Sequence, residues 1–324
     1  MKILITGAAG FVGFHSAARL LAAGHEIFGI DNLNSYYDVS LKDGRLVQLQ
    51  RNANFSFLKL DLADREGMAQ LFRENAFDVV LHLGAQAGVR YSLDNPFAYV
   101  DSNITGTLTV LEGCRHYGVK HLIYASSSSV YGANTKQPFS IEDRVDSPVS
   151  LYAATKKADE MMCRTYAHLY RIPTTGLRFF TVYGPWGRPD MAYFKFANAI
   201  RSGKRIDVYN HGDMKRDFTY IDDIVDGIEA LVHNPAPGLN DETPHRVYNL
   251  GNNNPEQLLE MITLLEAALG KKAEKNFLPM QPGDVYATYA DITASKRDFG
   301  FAPKVGLADG LMRFARWYRK YYAC

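Results

Sequence analysis

Two residues of one predicted helix have the types and the spacing needed for acid–base chemistry. The pattern of residues 150–170 predicts a helix, and Tyr152 and Lys156 lie four positions apart in it, so they share one face. A free tyrosine has a pKa near ~10 and is a poor base at neutral pH. A neighbouring ammonium favours the phenolate and lowers that pKa, which would make Tyr152 a usable base. Taken alone, this spacing occurs by chance in many helices.

Four consecutive serines supply further candidates for the same site. Residues 126–129 directly follow an apolar run, residues 120–125, that predicts a strand. The carboxyl ends of the strands of a doubly wound sheet form its binding crevice, so hydroxyls at this point could bond a substrate. A solvated serine-rich loop is the alternative. The crevice is favoured because the serines stand between an apolar strand and a Val-Tyr-Gly sequence.

A glycine-rich turn near the N-terminus predicts a ligand for that crevice. Residues 3–5 predict a buried parallel strand, and residues 11–23 have helical periodicity. Gly7 allows a tight turn, Gly10 lets a ligand approach the backbone, and Gly13 lets the helix pack against the strand. The unpaired N–H groups at such a helix N-terminus suit a pyrophosphate. A tight turn in any α/β protein is the alternative while the glycines are considered alone.

Asp31 provides the context that the glycines need. It ends a second apolar run about 20 residues further on, where a carboxylate can bond the adenosine ribose of a dinucleotide. The 2′-phosphate of NADP would meet a like charge there, so NAD is the predicted cofactor. Asp61 follows a third strand and is predicted either to bond the adenine or to cap the next helix. The predicted cofactor-binding residues are Gly7, Gly10, Phe11, Val12, Gly13, Asp31, Asn32, Asp61, Leu62, Leu83, Ala85, Tyr152 and Lys156.

Apolar runs that alternate with helical patterns predict an α/β fold with a doubly wound parallel Rossmann sheet. The runs are residues 3–5, 25–30, 55–60, 78–83, 120–125 and 173–180. Residues 96–117 are predicted to be one long helix, whose Asn103 contacts either the cofactor or only a neighbouring loop. Another helix is predicted to start at residues 254–255 and to end at Gly270, and a final helix to span residues 307–322.

The composition changes after residue 182, where turn formers and aromatic residues become frequent. This change predicts a smaller, discontinuous C-terminal domain for the substrate. We expect residues 1–182 plus about 217–250 to form the NAD-binding domain, because a short strand and a helix after residue 216 return to it. Residues of about 183–216 plus 251–324 are expected to form the substrate-binding domain.

Composition and charge narrow the classes of partner. The 324 residues carry a formal net charge of +1, so neither nucleic acid nor an anionic membrane is an expected partner. Cys114, Cys163 and Cys324 form no CxxC pair, which is typical of a reduced cytosolic protein. The first residues enter a strand directly, so no signal peptide is predicted, and no apolar run has membrane-spanning length. We expect a cytoplasmic protein with no metal site.

Five ordered motifs carry a family resemblance: TGAAGFVG, SSSSVYG, YAATK, RFFTVYGP and RDFTYIDD. Through them the whole chain resembles the extended short-chain dehydrogenase/reductase family that acts on nucleotide sugars, whose glycines are spaced GxxGxxG. Two longer stretches, HLGAQAGVRYS and TVYGPWGRPDMAYFKF, resemble the UDP-glucuronate 4-epimerase subgroup more than the UDP-glucose 4-epimerases.

The resemblance implies a cycle of oxidation and reduction on permanently bound NAD. Tyr152 matches the family's catalytic base, Lys156 matches its partner, and Ser127 matches the hydroxyl that bonds the sugar 4-oxygen. Tyr152 would take the 4-OH proton while hydride leaves C4. The 4-keto sugar would then turn and take the hydride back on its other face, which interconverts UDP-glucuronate and UDP-galacturonate. A homodimer through the helices near residues 96–117 and 150–170 is also implied.

Two residues depart from the UDP-glucose epimerases and point to an acid sugar. Thr181 stands where those enzymes usually have Asn, and Arg188 belongs to a motif that they lack. An arginine fork with a short hydroxyl beside it suits a C6 carboxylate; a surface ion pair with Asp190 is the alternative. The resemblance matches Arg216 with the diphosphate and Asp284 with the uridine ribose. The predicted substrate-binding residues are Arg90, Ser127, Ser128, Ser129, Tyr152, Thr181, Arg188, Arg216 and Asp284.

Three rival functions are considered: UDP-glucose 4-epimerase, UDP-glucuronate decarboxylase and, more remotely, a non-catalytic dinucleotide sensor. The resemblance disfavours a decarboxylase or a 4,6-dehydratase, because those enzymes carry acids where residues 127–129 are all serine. A hydroxyl of high pKa is a poor general acid. A sensor is predicted to have lost Tyr152 or Lys156, and both are present.

Overall fold

The computed structural model describes residues 1–234, 243–281 and 285–323. Its strands are β1 (Lys2–Thr6), β2 (Glu26–Asp31), β3 (Phe55–Lys59), β4 (Val79–His82), β5 (His121–Ser127), β6 (Thr174–Phe179), β7 (Thr181–Tyr183), β8 (Ile206–Val208), β9 (Lys215–Tyr220), β10 (His245–Leu250), β11 (Pro255–Gln257) and β12 (Lys275–Phe277). Seven of them form one sheet in the order β10-β6-β5-β4-β1-β2-β3. All neighbours in this sheet are parallel, so the predicted α/β Rossmann fold is confirmed.

Helices cover both faces of this large sheet. They are α1 (Phe11–Ala22), α2 (Val39–Leu49), α3 (Arg65–Glu74), α4 (Tyr91–Asp94), α5 (Pro96–Tyr99), α6 (Gly106–His116), α7 (Leu151–Tyr170), α8 (Ala192–Ser202), α9 (Ile221–His233), α10 (Leu258–Leu269), α11 (Thr293–Phe299) and α12 (Leu307–Tyr322). Side chains alternate along a strand, so in β1 Ile3 and Ile5 join one core cluster while Leu4 joins the other. Burial on both faces explains why these strands read as continuous apolar runs.

The order of the strands places a crevice at one edge of the sheet. The chain moves outward from β1 to β3 on one side and from β4 to β6 on the other, so the order reverses between β1 and β4. Ligands bind outside the carboxyl ends of the strands at such a point. β1 ends at Thr6, β4 at His82 and β5 at Ser127, which brings the glycine turn and the serine run to the same edge.

The prediction that a helix starts at residues 254–255 is wrong. Pro255–Gln257 form β11, which pairs antiparallel with β9, and α10 begins only at Leu258. The buried carboxylate of Asp217 accepts the backbone N–H of Asn253 at 3.0 Å and also that of the preceding residue, which fixes an extended chain before the proline. Proline is tolerated on such a short edge strand, because it has no N–H to leave unpaired there.

The predicted single helix over residues 96–117 is interrupted. A π-helical segment, Val100–Thr105, separates α5 from α6. Within it the buried side chain of Asn103 accepts the backbone N–H of Gln86 at 2.8 Å and donates to the Thr155 hydroxyl at 3.0 Å. The wider turn of a π segment aims a side chain that an unbroken α-helix would place elsewhere. Of the two roles predicted for Asn103, contact with a neighbouring loop is the one observed.

The later part of the chain both completes the large sheet and builds a second layer. β10 is a seventh parallel strand beyond the six that were predicted. β9 joins β7 and β11 in a smaller sheet, while α9 packs against α1 and α10 packs against both α8 and α12. Gly270 ends α10 with a φ of +71°, as predicted. The exact domain boundaries stay a prediction.

Candidate active site

One cavity of about 630 Å³ lies over the carboxyl ends of the strands of the large sheet, within the range of about 300–1,000 Å³ that ligand pockets usually have. Every predicted site residue that the structure describes lines it: Gly7, Gly10, Phe11, Val12, Gly13, Asp31, Asn32, Asp61, Leu62, Leu83, Ala85, Arg90, Ser127, Ser128, Ser129, Tyr152, Lys156, Thr181, Arg188 and Arg216. The structure thus brings together residues from both halves of the chain. Asp284 lies outside the described residues.

The glycine turn between β1 and α1 has room only for backbone. Gly7 has a φ of +70°, and a β-carbon on it would lie 2.8 Å from the Cα of Gly84. A β-carbon on Gly13 would lie 2.1 Å from the carbonyl oxygen of Gly7. Gly10 precedes α1 without a side-chain cap, and the first turn of α1 contains no acidic residue, so its N–H groups can receive an anion. This cradle fits the pyrophosphate of a dinucleotide.

Asp31 does not stand alone at the ribose end of the cavity. Its carboxylate accepts the N–H of Leu33 at 2.8 Å and lies 3.6 Å from Nζ of Lys42. Lys42 also donates to the backbone and the side chain of Asn34, each at 3.0 Å. Burial lowers the pKa of Lys42, and the neighbouring Asp31 opposes that change. The sequence analysis missed Lys42, whose charge partly offsets the repulsion that Asp31 is predicted to exert on a 2′-phosphate.

Asp61 lies beside Asn32, whose side chain donates to its carboxylate at 2.8 Å. The same carboxylate accepts the N–H of Ala63 at 2.9 Å. The cap of α3 is instead Asp64, which accepts the N–H of Gly67 at 3.0 Å. The predicted capping role of Asp61 is therefore wrong, because the chain makes one more turn before the helix begins. Its contact with an adenine stays a prediction.

The first turns of α7 carry the predicted base and its partner. The Ser150 side chain accepts the N–H of Ala153 at 3.1 Å and fixes the start of the helix. Lys156 has only 3% of its side chain exposed, and its Nζ lies 2.9 Å from Oδ2 of Asp159. Burial alone would lower the pKa of Lys156, but Asp159 and then Tyr152 outweigh it, and the net direction is upward. Lys156 therefore presents an ammonium near Tyr152, as predicted.

The serine run divides between the core and the cavity. Ser126 donates to the buried carboxylate of Glu160 at 2.7 Å, and Arg178 holds that carboxylate through bonds of 2.8 and 2.9 Å. Ser127 accepts the N–H of Ser129 at 3.1 Å, and their hydroxyls are also 3.1 Å apart. The alternative of a solvated loop is wrong, because this hydroxyl cluster closes one wall of the cavity.

Arg188 lines the cavity and is paired there with Asp190. Its Nε lies 3.0 Å from Oδ1 of Asp190, and its Nη2 donates to the other carboxylate oxygen. Tyr36, in the loop after β2, donates its hydroxyl to Asp190 at 3.1 Å. About a quarter of the Arg188 side chain is exposed. The ion pair that was an alternative to a substrate role exists, but it lies in the cavity wall.

Two more predicted arginines line the cavity beside the smaller sheet. The guanidinium of Arg90 lies 4.8 Å from the centre of the Tyr209 ring. Arg216, in β9, donates to the backbone carbonyls of Lys215 at 2.8 Å and Tyr286 at 3.2 Å. Their predicted contacts with a substrate stay predictions, as does that of Thr181 at the start of β7.

Sequence reasoning missed several side chains that organise the site, and their signals differ. Asp159 lies three residues after Lys156, a spacing at which helical side chains meet, so the pair could have been found. Tyr36 and Lys42 come from a loop and a helix whose folding onto the cavity has no local signal in the sequence.

In the described parts of the chain, every helix is too short or too polar to span a membrane, and nowhere do three or more His, Cys, Asp or Glu side chains come together as metal ligands would.

Comparison with known proteins agrees with this geometry. Residues 3–251 match the model of the NAD dependent epimerase/dehydratase family. The probable UDP-glucuronate 4-epimerase of Rhizobium meliloti is 48% identical over an alignment of 334 positions, which covers 99% of this chain and 98% of the relative. The UDP-glucuronic acid 4-epimerase of Bacillus cereus, solved with UDP-glucuronic acid and NAD, superposes with a TM-score of 0.90 at 36% identity, covering 99% of this chain and 100% of that one.

A second solved relative acts on a neutral sugar. The UDP-glucose 4-epimerase of Thermotoga maritima, solved with UDP-glucose, has a TM-score of 0.88 and 30% identity, and the match covers 99% of this chain and 100% of that one. The matching family model spans most of the chain, and the relatives match it almost from end to end. This chain therefore belongs to the NAD dependent epimerase/dehydratase family.

Proposed function

We propose that this chain is an NAD-dependent UDP-glucuronate 4-epimerase, which interconverts UDP-glucuronate and UDP-galacturonate. One observation carries the proposal: Tyr152, Lys156 and Arg188 line a single cavity together with the glycine cradle. A base, its cationic partner and a carboxylate-binding fork around one space are what the reaction requires, and this arrangement supports those roles for the three residues. The names of the relatives from Rhizobium meliloti and Bacillus cereus support the same substrate.

Tyr152 takes the proton of the sugar 4-hydroxyl as the general base. The Lys156 ammonium stabilises the phenolate that this role needs, and its deep burial strengthens the interaction because water is excluded. Ser127 donates a hydrogen bond to the 4-oxygen once its proton turns away from the Ser129 hydroxyl, to which it donates at 3.1 Å in the structure. Bound NAD supplies the hydride acceptor for C4 and the hydride donor for the return step. Tyr152 then gives the proton back to the epimerised 4-oxygen.

The residues present fit a dinucleotide. The cradle formed by Gly7, Gly10 and Gly13 would hold the pyrophosphate through the unpaired N–H groups at the start of α1. The three positions need glycine, because side chains there would collide with backbone. Asp31 would bond the adenosine ribose, and Lys156 would bond the nicotinamide ribose as its family counterpart does. The same cavity contains all five residues, so one extended ligand can reach them together.

The opposite end of the cavity would hold the nucleotide sugar. Arg188 and Thr181 hold the C6 carboxylate, with Ser128 and Ser129 adding hydroxyl donors. Arg216 contacts the diphosphate from β9. The uridine ribose is assigned to Asp284 by the resemblance alone, since that residue lies outside the described parts of the chain.

Asp190 changes the argument for substrate choice. Without a partner, a buried Arg188 would be left unpaired by a neutral sugar, and that cost would reject UDP-glucose. In the structure Asp190 already pairs with Arg188, so a neutral sugar does not leave the guanidinium alone. This pairing favours UDP-glucose 4-epimerase as the second candidate, and the selectivity for the acid is predicted to be smaller than an unpaired arginine would give.

We also propose the predicted homodimer. Large apolar side chains are exposed along α4 to α7: Leu93, Phe97, Val100, Leu108, Met161 and Leu169. Leu93 is 72% exposed and Phe97 77% exposed, and a large exposed apolar surface marks an interaction site. We place the enzyme in the cytoplasm, because Cys114 and Cys163 are free thiols. We also propose the two predicted domains, with residues 1–182 plus about 217–250 binding NAD and residues of about 183–216 plus 251–324 binding the nucleotide sugar.

The test is to incubate the purified protein with UDP-glucuronate and, separately, with UDP-glucose, without added NAD, and to follow the products by NMR. UDP-galacturonate should form from UDP-glucuronate, because NAD that copurifies with the protein is sufficient for the reaction. Faster formation of UDP-galactose from the second would favour the second candidate. A carbon dioxide-releasing reaction that yields a UDP-pentose as the main product would favour a decarboxylase instead.

A further inference from the structure

Tyr152 is electrostatically coupled to two cations that line the same cavity, and each cation is paired with its own carboxylate. In one pair, Lys156 Nζ is 2.9 Å from Asp159 Oδ2. In the other, Arg188 Nε is 3.0 Å from Asp190 Oδ1. Tyr152 contributes to the electrostatic environment of both cations. Asp190 bears on substrate choice through Arg188, whereas Asp159 takes no part in the proton and hydride steps described above.

Asp159 is the more deeply buried of the two carboxylates. Its side chain is 2% exposed, whereas that of Asp190 is 17% exposed. It lies one helical turn after Lys156 in α7, and Thr107 of α6 is the other side chain that favours its ionised form. Burial raises the pKa of Asp159, and Lys156 opposes that change. A buried charge is costly unless it is paired, so this carboxylate depends on the lysine as much as the lysine depends on it.

The titratable or charged groups that face this pair come from several elements. They are His82, Tyr99, Tyr124, Glu160, Cys163 and, beyond Tyr152, Arg188. Burial lowers the pKa of His82 to about 3, and it raises the pKa values of Tyr99, Tyr124 and Cys163. These four groups are therefore neutral at physiological pH.

Glu160 is the other carboxylate near the pair, and its charge is already used. It accepts two bonds from Arg178 and one from Ser126. Burial opposes ionisation of Glu160, but the Arg178 guanidinium holds the pKa of Glu160 below its usual range. Of the groups that face Lys156, Asp159 is thus the carboxylate that balances it.

We propose that Asp159 is a positioning residue whose negative charge keeps Lys156 protonated and directed at Tyr152, and so sets the pH range in which the two work together. The inference rests on the proposed function for its activity assay. It goes beyond that function because the general-base step itself requires only the tyrosine and the lysine.

Removing this charge acts on both partners in the same direction. Lys156 loses the group that most favours its ammonium, so it releases its proton at lower pH. The Lys156 ammonium is then no longer offset by Asp159, so it favours the phenolate of Tyr152 more strongly, and the phenolate forms at lower pH. In a bell-shaped profile of kcat/KM, the ionisation of the base gives the acidic limb and that of the required ammonium gives the basic limb. Both limbs are therefore expected to move to lower pH.

The experiment compares the holoenzymes of wild type, Asp159→Asn and Asp159→Glu. Asparagine keeps the shape and the oxygen acceptor for Lys156 but removes the charge, while glutamate keeps the charge and changes the length. Asp143→Asn is the matched control, because Asp143 is also a nearly buried partner of a lysine, Lys136, at 2.6 Å, and it does not line the cavity.

Two readouts are taken over the same pH range. One is kcat/KM for UDP-glucuronate. The other is the ultraviolet absorbance of tyrosinate, with Tyr152→Phe subtracted to isolate Tyr152. The absorbance needs no sugar substrate, so it still tests Asp159 if the wild-type protein fails to epimerise UDP-glucuronate, which alone would refute the proposed function.

Asp159→Asn should move both limbs and the tyrosinate midpoint to lower pH by about one unit, as expected for the loss of one close charge in a partly screened site. Asp159→Glu and Asp143→Asn should keep the wild-type positions, even if the glutamate lowers kcat. A lower rate for Asp159→Asn with unmoved limbs would overturn the proposal and leave Asp159 a packing residue. If Asp159→Asn does not fold, a displaced profile in Asp159→Glu would overturn it equally.

Discussion

The two ends of the cavity bind charge in different ways. At the nucleotide end, Gly7, Gly10 and Gly13 have room only for backbone, and the first turn of α1 has neither a side-chain cap nor an acidic residue. At the sugar end, side chains carry the charge: Arg188 pairs with Asp190, and Tyr36 donates to Asp190 from a distant segment of the chain. A backbone cradle is fixed by the local turn, whereas a side-chain site can be adjusted one residue at a time. We infer that the glycine cradle tolerates no added side chain, whereas substrate choice depends on Arg188 and Asp190.

The strongest way to break this comparison is to fill the backbone cradle. Gly13→Ala places a β-carbon 2.1 Å from the Gly7 carbonyl oxygen, so the turn must shift and the pyrophosphate site is lost. We expect the purified variant to contain no measurable NAD and to be inactive, with cofactor content measured after heat release. Gly306→Ala is the control, because a β-carbon there meets open space. Normal NAD content in Gly13→Ala would show that the cradle is not the cofactor site.

Tyr152→Phe separates chemistry from binding at the junction of the two ends. The ring and its packing against Tyr99, at 6.0 Å between ring centres, are kept, and only the hydroxyl is removed. Because general-base catalysis contributes roughly 10²–10⁴-fold, kcat should fall by that factor. NAD content and affinity for UDP-glucuronate should stay close to wild type. Near-normal turnover would mean that another residue is the base.

Arg188 tests whether the sugar end selects the acid. Arg188→Ala leaves Asp190 without its cation beside the substrate carboxylate, and truncating one member of a buried charge pair costs at least about 2 kcal/mol, or about 30-fold in kcat/KM. Residual turnover should leak toward a 4-keto pentose and NADH, because oxidation at C4 makes a β-keto acid that loses carbon dioxide when its carboxylate is not held.

The matched variant for that experiment is Arg188→Ala combined with Asp190→Ala. It removes both charges and should recover the part of the loss that the unpaired Asp190 causes. The recovery should be smaller with UDP-glucuronate than with UDP-glucose, because only the acid needs the fork. The products are separated by chromatography and identified by NMR. Unchanged epimerisation by Arg188→Ala, with no pentose formed, would mean that the pair with Asp190 is only structural.

The smallest predicted effect concerns the ribose end. Asp31→Ala removes the charge that a 2′-phosphate would meet, so the preference for NAD over NADP should narrow, by about tenfold for one screened like-charge contact. Lys42→Met should widen the preference for NAD. It removes the positive charge, 3.6 Å from the Asp31 carboxylate, that partly offsets the repulsion of a 2′-phosphate. Calorimetric titration of the apoenzyme with each cofactor gives both ratios. Equal affinities in the wild type would refute the role given to Asp31.

Sequence reasoning succeeded where one local segment fixes the geometry. The glycine spacing, the acid after β2 and the i, i+4 placement of Tyr152 and Lys156 depend only on one turn or one helix. It failed where distant segments compete for the backbone. The Asn103 side chain stabilises a π segment through Gln86 and Thr155.

The failure near residue 255 has the same kind of cause. Asparagine before proline is a common start of a helix, but Asp217 holds the preceding N–H groups in an extended chain that pairs with β9. The pairing of Arg188 with Asp190 was foreseen only as an alternative to substrate binding. In the cavity wall Asp190 also accepts a hydrogen bond from Tyr36, which lies about half the chain away in the sequence.

The most direct test of the account follows the hydrogen on C4. UDP-glucuronate that carries deuterium at C4 is converted by the wild-type enzyme in ordinary water, and the UDP-galacturonate is examined by NMR and mass spectrometry. If Tyr152 removes only the hydroxyl proton and the C4 hydride returns to the carbon it left, the product keeps the deuterium at C4. Product that has lost the label to water would contradict the account, because C4 would then have exchanged a proton instead of a hydride.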